Sequence, residues 1–263
     1  EFLVDTCGTG GDGSNTFNVS TAAAFAAAGA DISVAKHGNK SVSSKCGSTD
    51  VLAALGVNIE LQPKQVEKCI EEVGIGFMFA PLFHPAMKHV IPARKETGIR
   101  TIFNILGPLT NPAGAESQVI GVFDSTLLTD IANTMKNLGS RHVMVVNGDG
   151  LDEITIAGKT KVAELKDNKV DVYDINPEDY GFEISPLNSI VGSDAKENAK
   201  IIEDVLKGEK GPKQDIVLLN AGAAIYTSGK VKSLKEGIEA AKQSIDSGKA
   251  LKKLEALKEF TNK

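Results

Sequence analysis

An α/β fold, with a mainly parallel central sheet flanked by helices, is predicted by three observations. Short apolar runs alternate along the chain with segments of helical periodicity, the pattern of strands buried on both faces and joined by crossover helices. Clusters of glycine and polar residues follow these runs, where open α/β sheets place ligand loops. A length of 263 residues suits one large α/β domain carrying a smaller helical piece.

The predicted strands are residues 2–4, 32–35, 75–79, 119–123 and 143–146, each an apolar run too short for a helix. Between them, residues 20–29, 48–55, 63–73 and 125–138 read as helices. In the third helix Val66, Cys69, Ile70 and Val73 share one face, which makes Cys69 a core residue. Residues 161–175 carry an Asp167-Asn168-Lys169 turn between alternating runs and read as a hairpin. Helices are predicted at 193–207, 213–227, 233–247 and 248–260. Residues 81–112 break the rhythm with prolines and a Gly-Pro step around a helix-like 86–97. This stretch is either a helical excursion walling a cleft or an ordinary long crossover. No repeat and no low-complexity tail is visible.

Composition narrows the function. Hydrophobic residues at 41% and charged residues at 24% exclude wholesale disorder. A net charge of −5 disfavours a general phosphate-backbone binder, and nucleic acid is not an expected partner. Aromatics at 5% and no tryptophan argue against an aromatic stacking surface. The alanine-rich 21–30 stretch is too short to span a bilayer, so no membrane association is expected. Cys7, Cys46 and Cys69 are sparse and lack a CxxC pair, which fits a reducing, cytoplasmic setting.

The glycine-rich stretch Asp5-Thr6-Cys7-Gly8-Thr9-Gly10-Gly11-Asp12-Gly13 is placed directly after the first strand, where bare backbone can present N–H groups to an anion. Gly8, Gly10 and Gly13 match a dinucleotide fingerprint, but its context fails: Ser14-Asn15-Thr16 intervenes before the helix, and the second strand leads to Lys36 instead of an acid. A Walker A loop fails because Ser14 and Asn15 follow Gly13. Asn18-Val19-Ser20-Thr21 then opens an alanine-rich helix, with Ser20 or Thr21 as its N-cap. Such an end can also receive phosphate.

Residues 36–48 hold three lysines, a histidine, four serines and two glycines, a dense set of anion donors. The alternative is a solvated basic loop; Cys46, with no partner base, reads as structural. Asp152-Glu153 follows the fifth strand and the Asn147-Gly148-Asp149-Gly150 turn. Adjacent acids in a turn are usually solvated, yet beside a polyphosphate they offer the hard oxygens that Mg2+ takes. Arg94 is either a surface arginine or a bidentate carboxylate ligand. His84, His89 and His142 show no ligand spacing, and His142 reads as a strand-edge residue.

Taken together, Cys7-Gly8-Thr9-Gly10-Gly11-Asp12, Asn18-Val19-Ser20-Thr21, Lys36-His37-Gly38-Asn39, Phe103-Asn104-Ile105-Leu106-Gly107-Pro108-Leu109-Thr110-Asn111-Pro112 and Asp152-Glu153 resemble the anthranilate phosphoribosyltransferase family of tryptophan biosynthesis, in order along the whole chain. The resemblance implies a large α/β domain hinged to a small helical one, as in the pyrimidine nucleoside phosphorylases, and a homodimer in the full-length form. It implies a transfer from phosphoribosyl pyrophosphate (PRPP) to anthranilate with Mg2+. Residues 1–80 and 114–263 then form the two parts of the α/β domain, with residues 81–113 as a remnant of the helical domain on the anthranilate side.

Carried across, Gly8, Gly11, Asp12, Thr16, Asn18, Val19, Ser20, Thr21, Lys36, His37, Gly38, Asn39, Lys40, Ser41, Val42, Ser43, Ser44 and Ser48 match PRPP contacts. Gly8, Asn39 and Arg94 match anthranilate contacts, and Ser20, Asp152 and Glu153 match Mg2+ ligands. No residue is assigned as nucleophile or acid–base catalyst. Because the chain opens at Glu1 inside a strand-like run, the resemblance implies that the family's N-terminal helices are lacking and that turnover is poor. A nucleoside-phosphorylase-like enzyme and a non-catalytic nucleic-acid-binding relative are the alternatives.

Overall fold

A computed structural model describes residues 3–40, 46–90, 96 and 101–263 of the chain. The strands are β1 (Val4–Gly8), β2 (Val34–Gly38), β3 (Ile75–Phe79), β4 (Ser117–Gly121), β5 (His142–Asn147), β6 (Thr160–Lys166) and β7 (Lys169–Ile175). They form one sheet in the order β3-β2-β1-β4-β5-β6-β7. The first five strands pair in parallel. The hairpin β6–β7 adds antiparallel beyond β5, so the mainly parallel α/β sheet is as predicted. Asp167 and Asn168 close the hairpin at φ 50 and 60, the paired left-handed residues that a two-residue turn demands.

Helices α1 (Val19–Gly29), α2 (Ser48–Ala54), α3 (Pro63–Val73), α4 (Ala80–Phe83), α5 (Phe103–Leu109) and α6 (Leu128–Asn137) lie between the parallel strands. After the hairpin come α7 (Ala195–Leu206), α8 (Pro212–Thr227), α9 (Leu234–Asp246) and α10 (Lys249–Thr261). α3 shows how local sequence sets the bounds. Pro63 occupies its first position, Gly74 ends it at φ 87, and between them the buried Val66, Cys69 and Val73 mark the predicted core face. Burial pushes the Cys69 thiol up to about 12, as befits an inert core residue.

Both faces of the sheet are covered. In β5, Met144 and Val146 enter a large core with α1 and α8, while Val143 and Val145 enter a second core with Ile131 and Met135 of α6. That is why the strand reads as an unbroken apolar run instead of an alternating one. The alanines of α1 are all buried, and their small size lets neighbouring helices close around it.

Four sequence expectations change. The first strand does not stop at Val4 but runs from Val4 to Gly8, so Asp5, Thr6 and Cys7 belong to the sheet and the loop begins at Thr9. Asp5 finds partners in β2 and in the stretch after α5, and Thr6 donates to the Ser20 carbonyl in α1, which removes the reason to place them outside. The second strand likewise runs to Gly38 and carries Lys36 and His37. His142 is no edge residue, because the hairpin covers β5; it is buried and hydrogen-bonded to Glu164 at 2.7 Å. The start of the predicted 86–97 helix is a 3-10 turn at Pro85–His89, Glu96 near its end is helical, and most of what lies between is outside the described residues.

The connectivity matters for function. From β1 the chain builds outward through β2 and β3, then crosses back to place β4 and β5 on the other side. The order therefore reverses between β1 and β4, and the crevice at their carboxyl ends is where such sheets hold ligands.

Candidate active site at the carboxyl ends of the central strands

β1 and β4 both end in glycine, and their register sets Gly8 against Gly121. The turn after β5 folds back over this pair. A Cβ on Gly121 would lie 1.6 Å from the Asp152 carbonyl oxygen, and one on Gly8 would lie 2.2 Å from its Oδ2. Only glycine at both strand ends lets the acidic turn settle there. From below, Asn220 of α8 clamps the turn: Oδ1 accepts from the Ile154 N–H and Nδ2 donates to the Ile154 carbonyl, both at 2.9 Å.

The turn delivers two carboxylates to two backbone ends. Asp152 Oδ2 accepts from the Gly10 N–H at 2.7 Å, and Glu153 Oε1 accepts from the Ser20 N–H at 3.1 Å in the first turn of α1. This corrects the expected capping. The N-cap position belongs to Asn18, whose side chain makes no cap bond, and Glu153 reaches in from distant sequence to take up a first-turn N–H. Burial and the nearby Asp12 charge push the Asp152 carboxyl up to about 7. Burial and the adjacent Asp152 push Glu153 well above the usual range, against the opposing pull of Lys36 and the Ser20 N–H. Two neighbouring acids that resist ionisation are short of positive charge.

Lys36 does not project from a basic loop. It is 3% exposed, and its ammonium donates to the Thr6 carbonyl and, at 3.3 Å, to Ser20 Oγ. Burial lowers its affinity for a proton, opposed chiefly by the charge of Asp5. Asp5 is itself fully buried and accepts from the His37 N–H at 3.2 Å and from Asn111 Nδ2 at 2.7 Å. Asn111 also donates to the Ala35 carbonyl at 2.9 Å, tying the stretch after α5 to β2. His37 is pushed down to about 4, first by burial and then by His84, whose ring lies edge-on at 5.0 Å. At neutral pH it is an uncharged group, not one of a set of cations.

The other candidates fall as follows. Gly11 and Asp12 lie in the loop, where Asp12 accepts from the Ser14 N–H at 3.2 Å. Thr16 makes an isolated antiparallel bridge with Val191. The Val19 side chain is in the core, which leaves its backbone to face any ligand; Thr21 is equally buried, and its Oγ1 has no hydrogen-bond partner among the described residues. Gly38 sits where a Cβ would meet Ser48 Oγ at 2.2 Å, so the second loop and α2 close tightly there. Asn39 and Lys40 are exposed, and the Asn39 amide oxygen accepts from the Lys40 N–H at 2.8 Å. Ser41, Val42, Ser43, Ser44 and Arg94 lie outside the described residues. Cys46 is buried with its thiol pushed up to about 11, in keeping with a structural role.

Gly8, Ser20, Lys36, Asp152 and Glu153 are thus brought together. Asp5, Thr6, Asn111, Gly121 and Asn220 complete their support, and sequence alone assigns them no role. Asp5 and Asn111 stand within or beside the motifs that carry a signal. Gly121 and Asn220 have no local signal, since their partners are far along the chain.

The donor set suits Mg2+. Among the described residues no three His, Cys, Asp or Glu side chains converge on one point. A magnesium ion needs no such cage, because one or two carboxylates, waters and substrate phosphates fill its octahedron. The charge deficit at Asp152 and Glu153 marks where a cation would sit.

Residues 1–251 match the Glycosyl transferase family, a/b domain, and the chain belongs to that family, within its anthranilate phosphoribosyltransferases. The anthranilate phosphoribosyltransferase of Acetivibrio thermocellus is 57% identical over 263 residues, which is 100% of this chain and 76% of that protein. The enzyme of Methanosarcina acetivorans is 55% identical over 98% of this chain and 70% of its own length. The structure of the Thermus thermophilus enzyme has a TM-score of 0.95 at 46% identity, covering 99% of this chain and 78% of that one. The Saccharomyces cerevisiae enzyme in complex with PRPP and Mg has a TM-score of 0.91 at 35% identity, over 99% and 74% of the two chains. Among the described residues no helix is long and apolar enough to cross a membrane.

Proposed function

We propose that this chain transfers the phosphoribosyl group of PRPP to the amine of anthranilate, giving N-(5-phosphoribosyl)anthranilate and pyrophosphate, a step of tryptophan biosynthesis in the cytoplasm. The observation that carries this reading is the charge-deficient Asp152–Glu153 pair, seated on Gly8 and Ser20 where the glycine loop enters α1. Relatives of this similarity favour it over a nucleoside phosphorylase or a nucleic-acid binder.

Asp152, Glu153 and the Ser20 hydroxyl would hold Mg2+. When bound, that ion supplies positive charge to the departing pyrophosphate. The chain's own groups do the remaining work. Loop N–H groups around Gly11, together with Asp12, Thr16, Asn18, the Val19 backbone and Thr21, would orient the diphosphate at the start of α1. Lys36 adds a fixed positive charge beneath Ser20. His37, Gly38, Asn39, Lys40, Ser41, Val42, Ser43, Ser44 and Ser48 complete the PRPP side. Gly8, Asn39 and Arg94 would contact anthranilate, with residues 81–113 assigned to the helical wall and residues 1–80 and 114–263 to the α/β domain. The aromatic amine is neutral and nucleophilic at pH 7, so positioning and electrostatics suffice and no general base is assigned. The enzyme is a homodimer in this reading.

Loss of anthranilate fluorescence on adding PRPP and Mg2+ tests it. Consumption that needs both is expected. No consumption, or consumption of a nucleoside with phosphate instead, contradicts it.

A further inference from the structure

Asn18 occupies an N-cap position yet caps nothing. Its side chain is committed elsewhere. Nδ2 donates to the Cys46 carbonyl at 3.2 Å, and Oδ1 accepts from Asn198 Nδ2 at 3.0 Å. The Cys46 thiol adds a contact to the same Oδ1 at 3.4 Å. Asn198 lies in α7, is 2% exposed, and has its own orientation fixed because Oδ1 accepts from the Ser193 N–H at 2.8 Å. The bonds therefore run in one direction, from Ser193 through Asn198 and Asn18 to Cys46.

The same stretch of chain braces the glycine loop. The Phe17 N–H donates to the Ile190 carbonyl at 3.1 Å, and the Gly192 N–H donates to the Asn15 carbonyl at 2.9 Å. A Cβ on Gly192 would lie 2.3 Å from Asn198 Oδ1 and 2.7 Å from the Phe17 Cα, so the strap is pressed flat against both. The Asn18 amide thus joins the exit of the glycine loop to the Cys46–Ser48 entry into α2, and the Asn198 amide on α7 holds it in that orientation.

We infer that Asn198 is a positioning residue for PRPP, setting the Asn18 amide and the spacing of the two loops without touching substrate. The inference rests on the proposed transferase reading. A buried amide relay holds its ends to a fraction of an ångström, and small misplacements of a binding loop are costly to turnover.

The test is steady-state kinetics of the full chain with PRPP, anthranilate and Mg2+, for wild type, Asn198→Ala and Asn198→Asp. The aspartate keeps the volume and the acceptor for Ser193 but cannot donate to Asn18. Both variants should raise the PRPP KM by roughly ten-fold or more, with the anthranilate KM within about two-fold of wild type. An unchanged PRPP KM in a folded variant overturns the inference, as does an equal rise in both KM values. If Asn198→Ala fails to fold, Asn198→Asp decides; if neither folds, the residue is structural and the inference is overturned. Wild type without turnover refutes the transferase reading itself, whereas wild-type turnover with unshifted variants refutes only the role of Asn198.

Discussion

Two regions of this molecule bury carboxylates, with opposite results. At the hairpin side of the sheet, Glu164 is met by His142 and by the Tyr173 hydroxyl, each at 2.7 Å. Burial alone would raise its pKa, but these bonds and that of Tyr226 hold it below the usual range. At the carboxyl ends of β1 and β4, no cationic or hydroxyl side chain among the described residues meets Asp152 and Glu153 as closely. Burial and then the Asp12 charge push Asp152 up, and burial and then the Asp152 charge push Glu153 up. A carboxylate satisfied inside the protein is part of the architecture. One left short of positive charge waits for something from outside, and clustering of such groups in a crevice marks a functional site.

The largest effect expected from this contrast is on turnover. Changing Asp152→Ala and Glu153→Ala together should lower kcat by at least roughly a thousand-fold, of the order seen when a main electrostatic stabiliser is removed. Mg2+-dependent turnover near wild type in that variant would break the contrast at its functional end. Next, Glu164→Ala should cost about 2–4 kcal/mol in urea unfolding by leaving His142 and Tyr173 without their shared partner, with both KM values unmoved. A shift in either KM would show that the hairpin side is coupled to the site.

The smallest effect concerns His37. Its folded pKa of about 4 lies below the unfolded value near 6.5, so the folded state binds fewer protons. Its contribution to stability is complete above pH 6.5 and is lost as pH falls toward 4. The loss at pH 5 is on the order of 1–2 kcal/mol. His37→Gln should flatten that part of the stability profile, measured by urea midpoints between pH 7 and 4.5; an unchanged slope would remove His37 as its source.

Much of the fold is legible in advance because burial on both faces leaves continuous apolar runs such as 143–146, and because Pro63 and Gly74 punctuate α3. The ends of β1 and β2 escape sequence reading for one physical reason. Asp5, Thr6, Lys36 and His37 are polar, and a polar residue looks like a loop until its partner is known. Those partners, Asn111 and Ser20 among them, come from other elements. At the site, the glycine loop and the Asp152-Glu153 turn have local signals of their own. Gly121, Asn198 and Asn220 do not, because what each does depends on a residue far away in the chain.

Burial and the Asp12 charge hold Asp152 at an electrostatic disadvantage, and the central claim of the proposed reading is that a bound cation and substrate relieve it. Chemical denaturation of Asp152→Asn without Mg2+, set beside its turnover with PRPP, anthranilate and Mg2+, tests it most directly. Stability equal to or above wild type is expected together with severely reduced turnover, since the amide can still accept from Gly10 but no longer buries a charge beside Asp12 and Glu153. A variant less stable than wild type by about a kilocalorie per mole or more, on the order of an ordinary lost hydrogen bond, that still turned over normally would contradict it.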